Sequence, residues 1–335
     1  MALTIRRENP LKYADSLKSL MLAHEHKAFD AFFDRGYADV VDRGGASWLG
    51  FDASGCVQMN VTLFRHDFEY NGRTLAAGML GNMMAAKEYR TFFPMIALIK
   101  QLIRDVQADG KLDFLYTDPN PGATAIVKGT KLEHAGNMDR YVIPLGDESL
   151  TRHIAARAYS TSLRLRVAGQ VAHIVEHGSE CFDPSAFLVP QGESGRVRPH
   201  HTPALYLRRL EGYPGPEYRW FSFFLGRNRS EPDAAILLHG PDENGLAIIY
   251  AVRRKPGTPV APLIPPLIGA LRRQRTRRLQ IETVRDSEFA RELEAIGFKY
   301  RNDFVPVYVL PISPAGSEAV QNIAQWEITG LDMER

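Results

Sequence analysis

Apolar positions recur along this chain at two different spacings, and the switches between them predict the order of its elements. Alternation at every second residue marks a strand, and recurrence at three and four residues marks one face of a helix. After a short strand over residues 3–7, the stretch 13–42 has helical spacing in two pieces. Leu17, Leu20 and Met21 form the first stripe, and Phe29, Phe32, Phe33, Val40 and Val41 the second. Three extended runs follow, 46–52, 56–70 and 73–86, separated by Ala53-Ser54-Gly55 and by Asn71-Gly72. Asn-Gly suits a tight hairpin turn, so the runs read as an antiparallel meander.

Pro94 then opens the amphipathic run PMIALIKQLIRDVQADG, in which Ile96, Ile99, Leu102, Ile103 and Val106 share a face and Gly110 supplies the stop. A short strand over 112–116, the turn-rich Asp118-Pro119-Asn120-Pro121-Gly122, a small-residue helix from Ala123 and a strand over 141–145 complete this part. The order is strand, two helices, three strands, helix, strand, helix, strand. It returns shortened, as strands over 218–225, 234–239 and 245–252, a helix over 262–275, a strand over 279–284, a helix over 286–296 and a strand over 304–310. Such self-similarity predicts an internal structural repeat. Between the two parts, a basic helix-like stretch with Arg152, Arg157, Arg164 and Arg166 and the loop-like QGESGRVRPHHTP read as a connector.

Length and composition agree with two compact units. The chain has 335 residues, 44% of them hydrophobic and 24% charged, which are ordinary globular values. A net charge of +2 creates no global field for nucleic acid or an acidic membrane. Cys56 and Cys181 form no CxxC or Cys/His spacing, which speaks for a reduced compartment and against a zinc site. The start MALTIRRENPLKYADSL lacks the apolar core of a secretion signal, and no run of about 18 apolar residues occurs, so a cytoplasmic chain without a membrane span is expected. No Walker loop, GxGxxG turn, GxSxG elbow or HExxH helix is present, which leaves nucleotide hydrolysis, hydride transfer, serine hydrolysis and zinc proteolysis without a motif.

Within residues 48–145, AAKEYRTFFPMIALIKQLIRDVQ followed by LDFLYTDPNPGATAIVKGTKL resembles the GNAT superfamily of N-acetyltransferase-like proteins. A weaker resemblance covers 218–310 through EFARELEAIGFKYRNDFVPVYVL, which keeps Gly297-Phe298 after a helix. The implied fold is α/β (α+β), two tandem GNAT-like lobes, each a mixed, mostly antiparallel central sheet flanked by helices. Residues 1–146 would form the first lobe, 147–216 the connector and 217–335 a degenerate second lobe. The implied activity is direct transfer of an acyl group from acetyl-CoA or another acyl-CoA, or from an acyl-carrier protein, to an amine or hydroxyl of a small biosynthetic intermediate. A metal or nucleic acid is not implied, and the assembly would be a monomer or homodimer.

In that family a turn between strand and helix holds the cofactor pyrophosphate, because exposed N–H groups and the positive end of the helix dipole attract an anion. The resemblance places Arg90, Thr91, Phe92 and Phe93 at this turn, and Asn120 after the next strand against the cofactor arm. Phe93 and Met95 stand where the family has small residues, and Pro94 lacks an N–H. Thr91 is also a candidate helix cap. The usual tyrosine acid falls on Val127, and on Leu293 in the second lobe, whose phosphate turn would be Arg253-Arg254-Lys255-Pro256-Gly257-Thr258. Candidate catalytic residues are Asn82 and Glu88 near the end of one strand and Tyr116 and Asp118 at the end of the other. Tyr116 would replace the absent acid, and Glu88 would act as a base if desolvated. His66 beside Asp67 and His134 beside Glu133 are further proton acceptors, and Met79, Met83 and Met84 could line an acyl channel. Two other readings are a FemAB-like aminoacyltransferase, which also pairs two such lobes, and a non-catalytic binding or scaffold protein of the same fold.

Overall fold

The computed structural model describes residues 3–23, 30–145, 172–177, 195–200, 218–225, 231–255, 257–321 and 323–333. Phe29, Cys181 and the connector arginines Arg152, Arg157, Arg164 and Arg166 lie outside them. The first part of the chain forms β1 (Thr4–Glu8), α1 (Ala14–Leu22), α2 (Asp30–Asp42), β2 (Ala46–Phe51), β3 (Val57–Tyr70), β4 (Arg73–Ala85), α3 (Phe92–Asp109), β5 (Phe114–Thr117), α4 (Pro121–Lys128) and β6 (Glu133–Pro144). Two short strands follow, β7 (Ala172–His177) and β8 (Arg198–His200). The remainder is β9 (Tyr218–Leu225), β10 (Ala234–His239), β11 (Leu246–Arg254), α5 (Ile264–Arg273), β12 (Arg278–Val284), α6 (Glu288–Ile296), β13 (Lys299–Pro311) and α7 (Pro314–Val320).

The expected order of elements is present, and the local chemistry explains its boundaries. Asn71 (φ 51) and Gly72 (φ 72) both take the left-handed conformation that a two-residue hairpin between β3 and β4 requires. Gly110 (φ 59) ends α3 in the same region, where a side chain would be strained. Several boundaries differ from the sequence expectation, most of all the starts of β6 and β13. Helix α3 starts at Phe92 rather than Pro94, so the proline sits inside its first turn, where a missing N–H costs nothing. Strands β6 and β13 start at Glu133 and Lys299, well before residues 141 and 304. The added residues are exposed over 299–303 of β13 and at Glu133 and His134 of β6, and the two strands pair with each other along much of their length. Strands β7 and β8 had no counterpart in the sequence reading.

The thirteen strands of the described residues belong to one sheet, in the order β1-β2-β3-β4-β5-β13-β6-β12-β11-β10-β9-β7, with β8 paired to β3. Among these strand pairs, β4–β5 and β11–β12 are parallel and the rest antiparallel. Strand β13 lies between β5 and β6, and β6 lies between β13 and β12. The last strand of each repeat is therefore embedded beside the other repeat.

Three large apolar clusters cover this sheet. One face of the first half packs Phe68, Phe114 and Tyr116 against Leu17 of α1, Phe33 of α2 and Trp326. The opposite face packs Trp48, Met59 and Leu115 against Leu98, Ile99 and Leu102 of α3. The second half packs Ile236, Ile249 and Ile281 against Leu267 and Leu271 of α5 and Phe289 and Leu293 of α6. Each such side chain contributes about 1.5–3 kcal/mol when removed from water, which fixes the helices on the sheet and the sheet's loops relative to one another.

Candidate functional site

Strands β4 and β5 are hydrogen-bonded only from Ala77–Met79 to Phe114–Tyr116. Beyond Met79 they part. Strand β4 stays on β3 as far as Ala85, opposite Met59, while β5 stays on β13, with Thr117 opposite Tyr308. A wedge opens between the two parallel strands, crossed near its apex by the Thr117 hydroxyl, which donates to the Leu80 carbonyl at 2.8 Å. The β4 edge beyond that point has no strand partner among the described residues, so it offers backbone donors and acceptors to whatever enters.

The wall of this wedge carries a β-bulge. Thr62 pairs with Gly81 and Asn60 with Met84, so Asn82 and Met83 together face one residue of β3. Asn82 takes the left-handed conformation (φ 48), which asparagine tolerates better than most residues. A buried polar network holds it. Asn60 Nδ2 donates to the Asn82 carbonyl at 2.8 Å, and Asn82 Nδ2 donates to the Tyr37 hydroxyl at 3.3 Å. Asn60 Nδ2 also reaches that hydroxyl, at 3.4 Å, and the Thr62 hydroxyl reaches it at 3.5 Å. Ser47 and Thr62 share a further bond of 3.0 Å. Burial pushes the Tyr37 hydroxyl above its ordinary pKa, outweighing the bonds from Thr62, Asn82 and Asn60, so it remains protonated.

From Ala85 the chain passes through a 3-10 turn, Lys87–Tyr89, into α3. Lys87, Glu88, Arg90 and Thr91 are exposed, while Tyr89 is buried. Arg90 donates from Nε to the Ala85 carbonyl at 3.1 Å and from its terminal nitrogen to the Ala23 carbonyl at 3.0 Å. It thus ties the end of β4 to the end of α1 and places a cation against that helix's negative end. Thr91 occupies the cap position of α3 in extended conformation but makes no side-chain cap bond. The first-turn N–H groups of α3, which begins at Phe92, therefore have no side-chain acceptor from Thr91. Phe93 is 84% exposed.

On the other wall Asn120 caps α4, its Oδ1 accepting from the Ala123 N–H at 2.9 Å. Asn120 is exposed. Tyr116 is enclosed, with 0% exposure, and its hydroxyl shares a 2.5 Å hydrogen bond with Nδ1 of buried His66. Phe68, Phe114 and Trp326 surround it at centroid distances of 5.6, 6.1 and 6.2 Å. Val127 is also fully buried. Met79 and Met84 belong to one face of the core and Met83 packs on the other. His134 shares a hydrogen bond with Asn137 at 3.1 Å.

The structure thus brings Arg90, Thr91, Phe92 and Phe93 to one turn at the mouth of the wedge, Asn82 to its bulged wall and Asn120 to its far wall. Glu88 lies on the exposed turn, and Tyr116 lies behind the wedge in the core. Sequence reading missed Tyr37, Asn60, Thr62 and Ser47; the available signal was two polar residues, Asn60 and Thr62, inside the apolar run of β3. Among the described residues no group of His, Cys, Asp and Glu is placed to hold a metal ion, and no helix is long and apolar enough to cross a membrane.

No protein-family model matches the chain, and no curated protein matches its sequence. Solved structures do match its fold. A conserved protein of Enterococcus faecalis V583, a probable N-acyltransferase, superposes with a TM-score of 0.69 at 10% identity over 94% of this chain and 74% of its own. A GCN5-related N-acetyltransferase from Anabaena variabilis ATCC 29413 gives 0.64 at 10% identity, again over 94% and 74%. A tandem GNAT protein from the clavulanic acid biosynthesis pathway gives 0.53 at 12% identity over 93% of this chain and 99% of its own. Its mixed α/β architecture, its splayed parallel strand pairs and these similarities show that the chain has the GNAT fold in its tandem, two-lobed form.

Proposed function

We propose that the chain is an acyltransferase that moves an acyl group from an acyl-CoA, or from an acyl-carrier protein, directly to an amine or hydroxyl of a small intermediate. The wedge between β4 and β5 carries this reading. Its β4 edge, which has no strand partner among the described residues, suits an extended chain bearing amides, such as a pantetheine arm, and the turn at its mouth suits phosphates. The residues suit such a group by their order along the chain: Arg90, its guanidinium on the Ala85 and Ala23 carbonyls, and Thr91 immediately precede the first turn of α3, and Asn120 caps α4 after β5. When bound, the thioester supplies an activated carbonyl carbon.

This chain's own residues then supply position and charge. The bulge at Asn82 frees backbone groups of β4 from the strand ladder, and the Tyr37 network holds them rigid, so that N–H donors are available to the oxyanion without reorganisation. Glu88 is exposed on the turn at the mouth, so the desolvation that would make it a base is not met; the proton that the attacking amine or hydroxyl gives up passes to solvent as the new bond to the carbonyl carbon forms, and the C–S bond breaks to release the thiol. Tyr116 does not touch the acceptor in this scheme. Enclosed and bonded to His66, it is a positioning residue that fixes the end of β5.

Calorimetric titration with acetyl-CoA and free CoA tests the reading. The wild type is expected to bind both, and Arg90→Ala to bind at least about tenfold more weakly, the scale of one hydrogen bond to a charged group. Absence of binding by the folded wild type would remove the CoA donor. A second reading, a thioester-binding protein without turnover, draws on two positions: Val127 has no proton to give, and Tyr116 is fully buried. Release of free CoA thiol in the presence of an amine panel separates the two, since binding without release favours the second.

A further inference from the structure

The parallel pair β11–β12 forms a second wedge by the same construction. The strands are bonded from Leu246–Ile249 to Arg278–Ile281 and then part. Strand β11 remains on β10 as far as Arg254, opposite Ala234, and β12 remains on β6 as far as Val284, opposite Met138. The register slips between Leu237 and Leu238, so β11 carries a bulge at Tyr250 just past the parting, as β4 does at Asn82. Among the described residues this wedge, unlike the first, is filled by the chain itself. Thr283 of β12 is bridged to Asp139 on one edge and to Thr329 on the other. Its hydroxyl donates to the Ile328 carbonyl at 3.0 Å, whereas the Thr117 hydroxyl crosses the first wedge directly to β4. The 3-10 turn Gly330–Met333 packs against both β11 and β12. Ile328, Thr329 and Met333 are buried.

The polar end of this segment meets Arg254 of the second lobe and Arg196 and Arg198 at β8. The Glu327 carboxylate accepts from Arg254 at 2.9 Å, from Arg198 at 2.6 Å and from Arg196. Arg254, which belongs to the run Arg253-Arg254-Lys255 at the end of β11, is also paired with Glu292 at 2.8 Å. An anion already sits where this turn offers positive charge. Among the described residues no isolated strand bridge enters the first wedge.

We propose that residues 327–333 are an internal ligand that permanently fills the second wedge in place of a thioester. The segment bridges to β12 and packs its 3-10 turn against β11, the counterpart of the β4 edge that an extended amide-bearing chain would take in the first wedge, and the Glu327 carboxylate takes the arginine that a phosphate would take. The chain consequently binds one thioester per molecule, in the first wedge. That count rests on the function proposed above; the internal ligand does not.

Hydrogen exchange on the intact protein, with and without coenzyme A, tests both parts. Amides of residues 328–330 are expected to exchange at least about 1,000-fold more slowly than an unstructured chain, as core strands do. Coenzyme A is expected to slow exchange in residues 80–95 and to leave 328–330 unchanged. Exchange of 328–330 at the unstructured rate, or their deprotection on adding coenzyme A, overturns the proposal. In a chain ended after Trp326, the synthetic peptide of residues 327–333 is expected to bind one to one, and Arg254→Ala in that background to weaken it at least tenfold. A folded shortened chain that ignores the peptide also overturns the proposal; if the shortened chain does not fold, exchange in the intact protein decides. Peptide binding together with no coenzyme A binding to the intact chain would sink the proposed function and leave the internal ligand standing.

Discussion

Tyr37 shows how much one hydroxyl can organise. It receives Asn60, Thr62 and Asn82 at the wall of the first wedge, so Tyr37→Phe removes one acceptor and leaves buried donors without it. The expected cost is about 1–3 kcal/mol, read as a lower denaturation midpoint, with a loss of coenzyme A affinity beyond that of a surface control. This network was hidden in the sequence for a physical reason. Gln58, Asn60 and Thr62 alternate with apolar residues as on a half-solvated strand, yet helices cover both faces of β3 and enclose Asn60 and Thr62 completely. By contrast, the turn between β4 and α3 was legible as a strand ending before an amphipathic helix; that Arg90 to Phe93 serve a cofactor there came from the resemblance alone.

Glu327 supplies the pH dependence. Its burial opposes ionisation, but Arg254, Arg198 and Arg196 outweigh that and hold its carboxyl below the usual glutamate range. A folded value below the unfolded one means the stabilisation is complete above the ordinary glutamate pKa of about 4.3 and is lost as pH falls through the lower folded value. Glu327→Gln is therefore expected to be about 3 kcal/mol less stable than wild type at neutral pH, and the gap to narrow below about pH 4. Urea midpoints measured across that range check the sign.

At the scale of elements, Asp113 joins four of them. Its Oδ2 accepts from the Ala76 N–H of β4 at 2.8 Å, its Oδ1 accepts from the Ser313 hydroxyl at the cap of α7 at 2.6 Å, and its carbonyl accepts from Ile312 after β13 at 2.8 Å. The residue itself stands just before β5. Helix α7 comes so close here that a Cβ at Gly316 would lie 1.9 Å from the Asp113 carbonyl oxygen. Gly316→Ala is thus expected to lift α7 from the sheet and cost about 3 kcal/mol, at the upper end for overpacking, measured by denaturant unfolding. Most helices and central strands were legible from periodicity, whereas β7 and β8 were not. Strand β8 is three residues with a central proline, Arg198-Pro199-His200, which is tolerated only because it needs few ladder bonds at the end of β3.

For the whole molecule, the interleaving of β6 and β13 matters most. The repeated order of elements could be read from the sequence, but the pairing of those strands could not, since alternation specifies which side of a strand is apolar and says nothing of its neighbours. Because the two lobes share an unbroken ladder, they are expected to unfold together. Scanning calorimetry should show one transition whose calorimetric and van't Hoff enthalpies agree; two resolved transitions would mean that the shared strands come apart first.

The position of β13 also sets a schedule for the ribosome. Strands β5 and β6 are synthesised early, yet the strand that separates and pairs them comes from Lys299–Pro311. Throughout translation of the intervening residues both strands keep open edges, the surfaces most prone to join another chain. The first lobe can close only after the second has emerged, so a nascent chain stalled before Lys299 is a client for chaperones, however stable the finished protein is.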